Sequence, residues 1–211
     1  MKKEEDTVLK KEVKAILFDL DGVLVDSEKA WFRVINDACR HFGFKHVQKE
    51  QFEKRFGAPI EDDVKFLFRG RTIKEVEAFY NKDFGRRAKF VKLFPQSKIA
   101  LKKLRGRKVK LGLISNSTTL IVSAVLRRFG LKKYFNAVVT MDDVKKGKPA
   151  PDMVLKACKM LKVKPKNTIL VGDTKNDMIA GKRAGCVTIG YKVEGDYKIK
   201  SLKKIERFIY V

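Results

Sequence analysis

Phe18-Asp19-Leu20-Asp21-Gly22-Val23-Leu24-Val25-Asp26 is the stretch on which the fold turns. It continues Lys14-Ala15-Ile16-Leu17, so residues 14–18 form a short, nearly continuous apolar run that stops at Asp19 and a glycine-containing turn. An apolar run of this length without polar alternation is the pattern of a strand buried on both faces, as in a parallel sheet. Two carboxylates, Asp19 and Asp21, stand where that strand ends.

Outward from this strand, similar runs recur at residues 109–114, 168–171 and 186–189, with a shorter one at 137–140. Helical spacing fills the gaps between them. Ile121, Val122, Val125, Leu126 and Phe129 share one face, and Gly130 follows as a stop signal. Met153, Val154, Ala157, Cys158 and Leu161 share another, with Pro151 suited to the helix start. A third helix is expected over about 176–184, stopped by Gly185. This alternation from about Pro95 onward predicts an α/β fold with a doubly wound, Rossmann-like parallel sheet.

Residues 27–93 break the rhythm. Trp31, Val34, Ile35, Ala38, Cys39 and Phe42 recur at helical spacing; Val64 and Phe66 to Phe68 suggest a second helix, and Val76, Phe79, Tyr80 and Phe84 a third. No strand is expected there. The predicted organisation is a core of residues 1–26 and 94–211 with an all-helical cap, 27–93, inserted after the first strand.

Composition bounds the remaining possibilities. The chain has 211 residues, 44% hydrophobic and 35% charged, enough for one full core and a modest second unit. Residues 1–13 are mostly charged and lack the apolar stretch of a secretory signal, and no run approaches the roughly 18 apolar residues of a membrane span. Cys39, Cys158 and Cys186 are odd in number, are not spaced as metal ligands and sit among apolar neighbours. Small buried thiols in a reducing cytoplasm are the expectation. The formal net charge of +24 attracts anions generally, whether phosphorylated metabolites, nucleic acid or acidic surfaces. The basic residues are scattered, as at Lys102-Lys103, Arg127-Arg128 and Lys203-Lys204, without interleaved aromatics that would stack bases. Solvated helix faces and loops explain most of them, and nucleic acid is not the favoured partner.

In an open parallel sheet, ligands bind beyond the carboxyl ends of the strands. Four predicted strands end in, or lead into, chemically useful residues there: Asp19 and Asp21; Ser115-Asn116-Ser117; Lys145-Lys146-Gly147-Lys148-Pro149; and Gly172-Asp173-Thr174-Lys175-Asn176-Asp177. Taken singly, each has an ordinary reading as a turn, a helix cap or a surface lysine. Their order and placement together point to one rim. Asp19, Asp21, Asp173 and Asp177 would crowd carboxylates into one crevice, which like-charge repulsion disfavours and a divalent cation relieves. All-oxygen ligation favours Mg²⁺.

These segments, Phe18 through Ser27, Ser115-Asn116-Ser117, Lys146-Gly147-Lys148-Pro149-Ala150-Pro151 and Gly172 through Asp177, resemble the motifs of the haloacid dehalogenase superfamily, in its phosphoglycolate phosphatase and β-phosphoglucomutase-like branch. The resemblance covers nearly the whole core, while the insertion matches only in position, size and helical character. It implies a Mg²⁺-dependent hydrolase of small phosphate esters. Asp19 would attack phosphorus to form an aspartyl-phosphate. Asp21 would protonate the leaving alkoxide, activate water and lend its carbonyl to the metal. Ser115 and the Asn116 backbone N–H would hold a phosphoryl oxygen, and Lys148 would balance the charge. Asp173 would ligate Mg²⁺, and Asp177 would ligate through water or orient Lys148.

Within the insertion, Lys54-Arg55-Phe56-Gly57-Ala58-Pro59 resembles the cap segment that faces the active site in related enzymes. Arg55 is the candidate contact for a substrate carboxylate or second phosphate; a solvated helix end before a turn is the plain alternative. His41 and His46 read as surface or cap residues. Relatives often carry Pro-Gly where this chain has Pro95-Gln96, which bears on the hinge and not on the chemistry. Two other functions stay open: a phosphosugar mutase, which needs a polar cap with paired basic residues, and a nucleic-acid-binding or scaffolding protein, supported only by the charge. True dehalogenation is disfavoured, because dehalogenases generally lack a carboxylate at the position of Asp21.

Overall fold

The computed structural model describes residues 12–209, so most of the charged leader lies outside the described residues. The strand 15–19, β1 (Ala15–Asp19), is buried at every position and is the centre of the molecule. It pairs in parallel with β4 (Lys110–Ile114) on one side and β6 (Thr168–Gly172) on the other. β5 (Ala137–Val139) extends the sheet beyond β4, and β7 (Val187–Tyr191) and β8 (Tyr197–Ile199) extend it beyond β6. The order is β5-β4-β1-β6-β7-β8, with every pairing parallel. The chain runs outward from β1 through β4 to β5, then returns to the other side for β6. That reversal opens a crevice at the carboxyl end of β1.

Alternate residues of β1 feed two apolar layers, as the two-residue period of a strand requires. Ile16 and Phe18 join Leu111, Leu113, Ile169 and Val171 on one face, under α5 (Ser97–Arg105) and α6 (Thr119–Phe129). Ala15 and Leu17 face the other way, against Met153, Val154, Ala157 and Leu161 of α7 (Asp152–Leu161) and Ala180 of α8 (Lys175–Ala184). Burial on both faces is why the strands read as apolar runs rather than alternating ones. Strands and helices fall within one or two residues of the sequence expectation, and α6 and α8 stop at Gly130 and Gly185 in the left-handed conformation.

The sheet departs from the expected alternation at its end. β8 follows β7 without an intervening helix, because residues 192–196 fold back locally. Asp196 holds them there: its Oδ2 accepts from Thr188 N (2.9 Å) and Oγ1 (2.8 Å), and its N–H donates to Thr188 Oγ1 (3.1 Å). A 3₁₀ segment, Leu202–Phe208, closes the described chain.

Between β1 and α5 lie a two-residue antiparallel ribbon and four helices. The ribbon pairs β2 (Val25–Asp26) with β3 (Lys92–Leu93), which closes the root of the insertion. The helices are α1 (Glu28–Phe42), α2 (Lys49–Glu53), α3 (Ile60–Phe66) and α4 (Ile73–Arg87). Both strands of the ribbon and one of the helices were not expected. β3 pairs with a partner far away in sequence, which no local pattern reveals. α2 buries only Phe52, so it has no apolar stripe, and reciprocal Gln48–Gln51 capping fixes its start. α3 also begins earlier than its apolar residues suggest, and Leu67 and Phe68 fall beyond its end.

α1 packs on α4 through Trp31, which lies edge-on to Tyr80 (5.6 Å between ring centroids) and tilted against Phe84 (5.0 Å). Buried Asn36 is satisfied by main-chain groups, accepting from Val47 N at 2.8 Å and donating to Phe32 O at 3.0 Å. His41 and His46 are exposed. Gln96 adopts an ordinary right-handed conformation (φ −85°), so the turn after Pro95 needs no glycine. Cys39, Cys158 and Cys186 are buried free thiols. Among the described residues no helix is long and apolar enough to cross a membrane.

Candidate active site

β1 delivers Asp19 to the crevice, and the turn after it carries Asp21. The turn is tight: Gly22 N donates to Val25 O (2.8 Å), and Leu24 N and Val25 N both donate to Leu20 O. Gly22 has φ +75°, and a Cβ there would lie 1.8 Å from Asp173 Oδ2. Glycine is therefore required by backbone conformation and by the close approach of a second carboxylate. Gly22→Ala is expected to cost about 1–2 kcal/mol for the left-handed backbone alone, and to displace Asp173. Chemical denaturation checks the first effect, and a Mg²⁺ titration followed by melting temperature checks the second.

The two aspartates of this turn have different surroundings. Asp21 takes hydrogen bonds from the hydroxyls of Ser27 and, at 3.4 Å, Ser117. Asp19 instead faces Lys148, whose Nζ lies 2.7 Å from Asp19 Oδ1 and 2.6 Å from Asp177 Oδ1. Lys148 itself is 2% exposed. Burial alone would lower its pKa, but Asp177 and Asp19 outweigh it and hold the ammonium charged above the usual lysine range. Burial raises Asp19 and Asp21 above the ordinary carboxylate range, against the attraction of Lys148.

β4 leads into Ser115, which is buried and accepts from Ser117 N at 3.2 Å. The Asn116 side chain ties three segments together. Its Nδ2 donates to Gly57 O of the insertion (3.1 Å) and to Lys148 O (3.0 Å), and its Oδ1 accepts from Lys148 N (2.8 Å). Asn116 therefore sets the position of the lysine loop as well as touching the crevice. β6 leads into Asp173, and the first turn of α8 supplies Asp177. Asp177 Oδ2 accepts from Thr174 N (3.1 Å) and Oγ1 (2.6 Å), which leaves Oδ1 to Lys148.

Carboxylate oxygens of Asp19, Asp173 and Asp177 lie within 4.8 Å of one another. Asp173 Oδ1 is buried without a hydrogen-bond partner among the described residues. Burial, followed by repulsion from Asp177, pushes Asp173 up to about 7. One ammonium does not neutralise this cluster, so the residues present fit a bound divalent cation. The Asp21 carboxylate stands outside this cluster of three.

Asp19, Asp21, Ser115, Asn116, Lys148 and Arg55 all line one cavity of about 80 Å³. Its far wall belongs to the insertion and includes Trp31, Phe52, Phe56, Asp63, Glu77 and Tyr80. The segment around Arg55 thus faces the crevice. Arg55 Nη2 donates to Asp62 O (2.7 Å) and the guanidinium sits 4.5 Å from the Phe66 ring centroid, while its Nε, 4.0 Å from Asp63 Oδ1, is buried without a hydrogen-bond partner among the described residues. Asp63 and Glu77 carried no signal in the sequence. Asp63 reads as an ordinary acidic first-turn residue of α3, and Glu77 as a solvated residue of α4.

Asp63 accepts from Tyr80 Oη at 2.9 Å, yet burial pushes it up to about 6 from an ordinary 3.8. The folded protein keeps this proton at pH values where the unfolded chain has lost it. Asp63 therefore favours the fold most below pH 3.8, and that advantage is lost as pH rises through about 6. Asp63→Asn is expected to gain stability over wild type as pH rises from 4 to 8, by up to about 3 kcal/mol. Urea unfolding across that range checks it, and a difference independent of pH would show that Asp63 ionises normally.

The insertion is closed over the crevice by further contacts. Thr118 Oγ1 donates to Asn81 Oδ1 of α4 at 2.5 Å, and Arg128 Nη1 donates to Ala88 O at 2.6 Å.

Among curated proteins, the chain is 28% identical over 176 residues to the pyrophosphatase PpaX of Oceanobacillus iheyensis, covering 83% of this chain and 82% of that protein. It is 29% identical over 177 residues to the phosphoglycolate phosphatase of Aquifex aeolicus, covering 83% of each. A haloacid dehalogenase superfamily hydrolase of Geobacter sulfurreducens superposes with a TM-score of 0.69 at 25% identity, covering 92% of this chain and 95% of that one. CbbY of Rhodobacter sphaeroides, solved with phosphate, superposes at 0.80 with 22% identity over 92% and 96% of the two chains. A sequence profile described as haloacid dehalogenase-like hydrolase matches residues 16–191, from within β1 through β7. With the aspartate turn, the serine, the lysine and the acidic pair on one sheet rim inside that span, the chain belongs to the haloacid dehalogenase-like hydrolase family.

Proposed function

We propose that the protein is a Mg²⁺-dependent phosphomonoester hydrolase that acts on a small phosphorylated metabolite through an aspartyl-phosphate. The observation that carries this reading is the division of labour between the two aspartates. Asp19 Oδ1 lies 2.7 Å from the buried Lys148 ammonium, while Asp21, two residues on, is held by serine hydroxyls away from the acidic cluster.

An Asp19 carboxylate oxygen attacks phosphorus, and the bond to the ester oxygen breaks. The leaving alkoxide takes the proton held by Asp21. Ionised Asp21 then takes a proton from water as the water attacks the aspartyl-phosphate. The phosphorus–Asp19 bond breaks and inorganic phosphate leaves. A carboxylate is a weak nucleophile, so positioning and charge neutralisation supply most of the rate. Ser115 orients a phosphoryl oxygen, and Lys148 offsets the charge of Asp19 and the phosphoryl group.

Asp19, Asp173 and the Asp21 carbonyl would hold Mg²⁺, with Asp177 behind them orienting Lys148. When bound, the ion supplies the positive charge that the carboxylate cluster lacks. Residues 27–93 act as a cap that excludes bulk water and selects the leaving group, over a core of 1–26 and 94–211. Curated relatives named as phosphoglycolate phosphatase and pyrophosphatase support hydrolysis over sugar-phosphate mutation.

Phosphate release from a panel of small phosphomonoesters tests the reading. Turnover is expected with Mg²⁺, lost with chelator and restored by added Mg²⁺. Purified protein that releases phosphate from no ester in the panel would overturn it.

A further inference from the structure

The insertion wall of the cavity has a chemistry that the catalytic residues do not use. Four aromatic side chains, Trp31, Phe52, Phe56 and Tyr80, line it together with the carboxylates of Asp63 and Glu77. Two carboxylates share this wall with one guanidinium, that of Arg55. Asp63 Oδ2 accepts the Tyr80 hydroxyl, and Oδ1 forms a long ion pair with Arg55 Nε at 4.0 Å. At Asp63 the attraction of Arg55 outweighs the repulsion of Asp62, whereas at Glu77 Asp142 and Glu61 both add repulsion. Glu61 Oε2 is buried with no hydrogen-bond partner among the described residues. Arg55 is the only cation of this wall among the lining residues; its Nη2 donates to Asp62 O and its face meets Phe66, while its Nε is buried without a hydrogen-bond partner among the described residues. On a chain of net charge +24, this is a local excess of negative charge beside a site for an anionic phosphoryl group.

Aromatic faces combined with carboxylates recognise an ammonium group, through cation–π attraction and direct ion pairing in a partly desolvated pocket. A carboxylate on the leaving group would face Asp63 and Glu77, with Arg55 as its one cationic partner on that wall. Resting on the phosphatase reading above, we infer that the preferred substrate is the phosphate monoester of a small amino alcohol, with its ammonium group held between Asp63, Glu77 and the aromatic wall. The acid-bearing substrate named for the phosphoglycolate phosphatases would be a poor one for this chain.

Three esters of matched length test this, each assayed for phosphate release by the full chain with Mg²⁺ at pH 8. They are 2-aminoethyl phosphate, 2-hydroxyethyl phosphate and phosphoglycolate; acetyl phosphate reports hydrolase chemistry independently of the wall. The expected kcat/KM falls in the order written, with at least about tenfold between the first and the third. Asp63→Asn and Glu77→Gln are each expected to shrink that ratio by about threefold or more. Glu77 lies on a half-exposed helix face, so its variant keeps the test valid if Asp63→Asn folds poorly. Equal or better turnover of phosphoglycolate overturns the inference, as does a ratio that neither variant moves. Hydrolysis of acetyl phosphate with the order reversed removes the inference and leaves the phosphatase reading standing. Failure on all four compounds removes both.

Discussion

Asp19→Asn is expected to lower phosphate release by at least about 10⁴-fold, because the amide has no anionic oxygen to attack phosphorus and no other group takes over the covalent step. The fold should survive the change. Asp19 is one of three carboxylates whose oxygens lie within 4.8 Å of each other, and burial together with its acidic neighbours works against its charge. Removing that charge leaves Lys148 paired to Asp177 at 2.6 Å. Without added metal, the variant should therefore melt at the same temperature as wild type or higher. A catalytically dead protein with undiminished stability separates loss of the nucleophile from loss of the fold. Full activity in Asp19→Asn would end the aspartyl-phosphate mechanism for this chain.

Lys148→Met should fail in both respects. The side chain is 2% exposed, and its ammonium is within 2.7 Å of two buried carboxylates. Its removal strands those charges in a region of low polarity, which typically costs about 3–5 kcal/mol. The sign with pH follows from the carboxylates. Without Lys148 the pKa of Asp19 rises further, so the variant is least handicapped at low pH, where that carboxylate is protonated, and loses stability as pH rises. Turnover should fall by about 10³-fold or more, because Lys148 both orients Asp19 and offsets phosphoryl charge. Denaturation and phosphate release measured at pH 5 and pH 8 check both effects. A loss of less than about 1 kcal/mol at pH 8 would show that the pair is solvated rather than buried.

The residues behind these two variants are legible in the amino-acid sequence to different depths. Asp19, Asp21, Ser115, Lys148, Asp173 and Asp177 can be singled out because each stands at or near the carboxyl end of an apolar run. In a parallel sheet, all such ends share one rim. That inference needs only strand period and order, both of which are local. The division between Asp19 and Asp21 is not local in the same way. It depends on Ser27 and Ser117 reaching one carboxylate and Lys148 reaching the other, from segments that meet only in the fold.

Arg55 shows the opposite case. Its segment stands out by resemblance and does face the cavity, but that its Nη2 is tied to Asp62 O and its face to Phe66 could not be read from the sequence. The groups with free acceptor capacity on that wall, Asp63 and Glu77, look like ordinary acidic residues on amphipathic helices. Likewise, α2 has one buried residue and no periodic stripe, and β3 pairs across the whole insertion with β2, so neither leaves a readable pattern.

Apolar periodicity and chain order are properties of neighbouring residues. They suffice to specify the parallel sheet, the helices that cover it and the residues at its reactive rim. Which charges meet is set in three dimensions: Lys148 between Asp19 and Asp177, Asp21 among serines, and an acidic, aromatic wall opposite the nucleophile. Burial and electrostatic pairing act through a few ångströms of space. Apart from Asp21 and Ser27, the groups concerned are separated by tens of residues or more along the chain, where no periodicity records their contact.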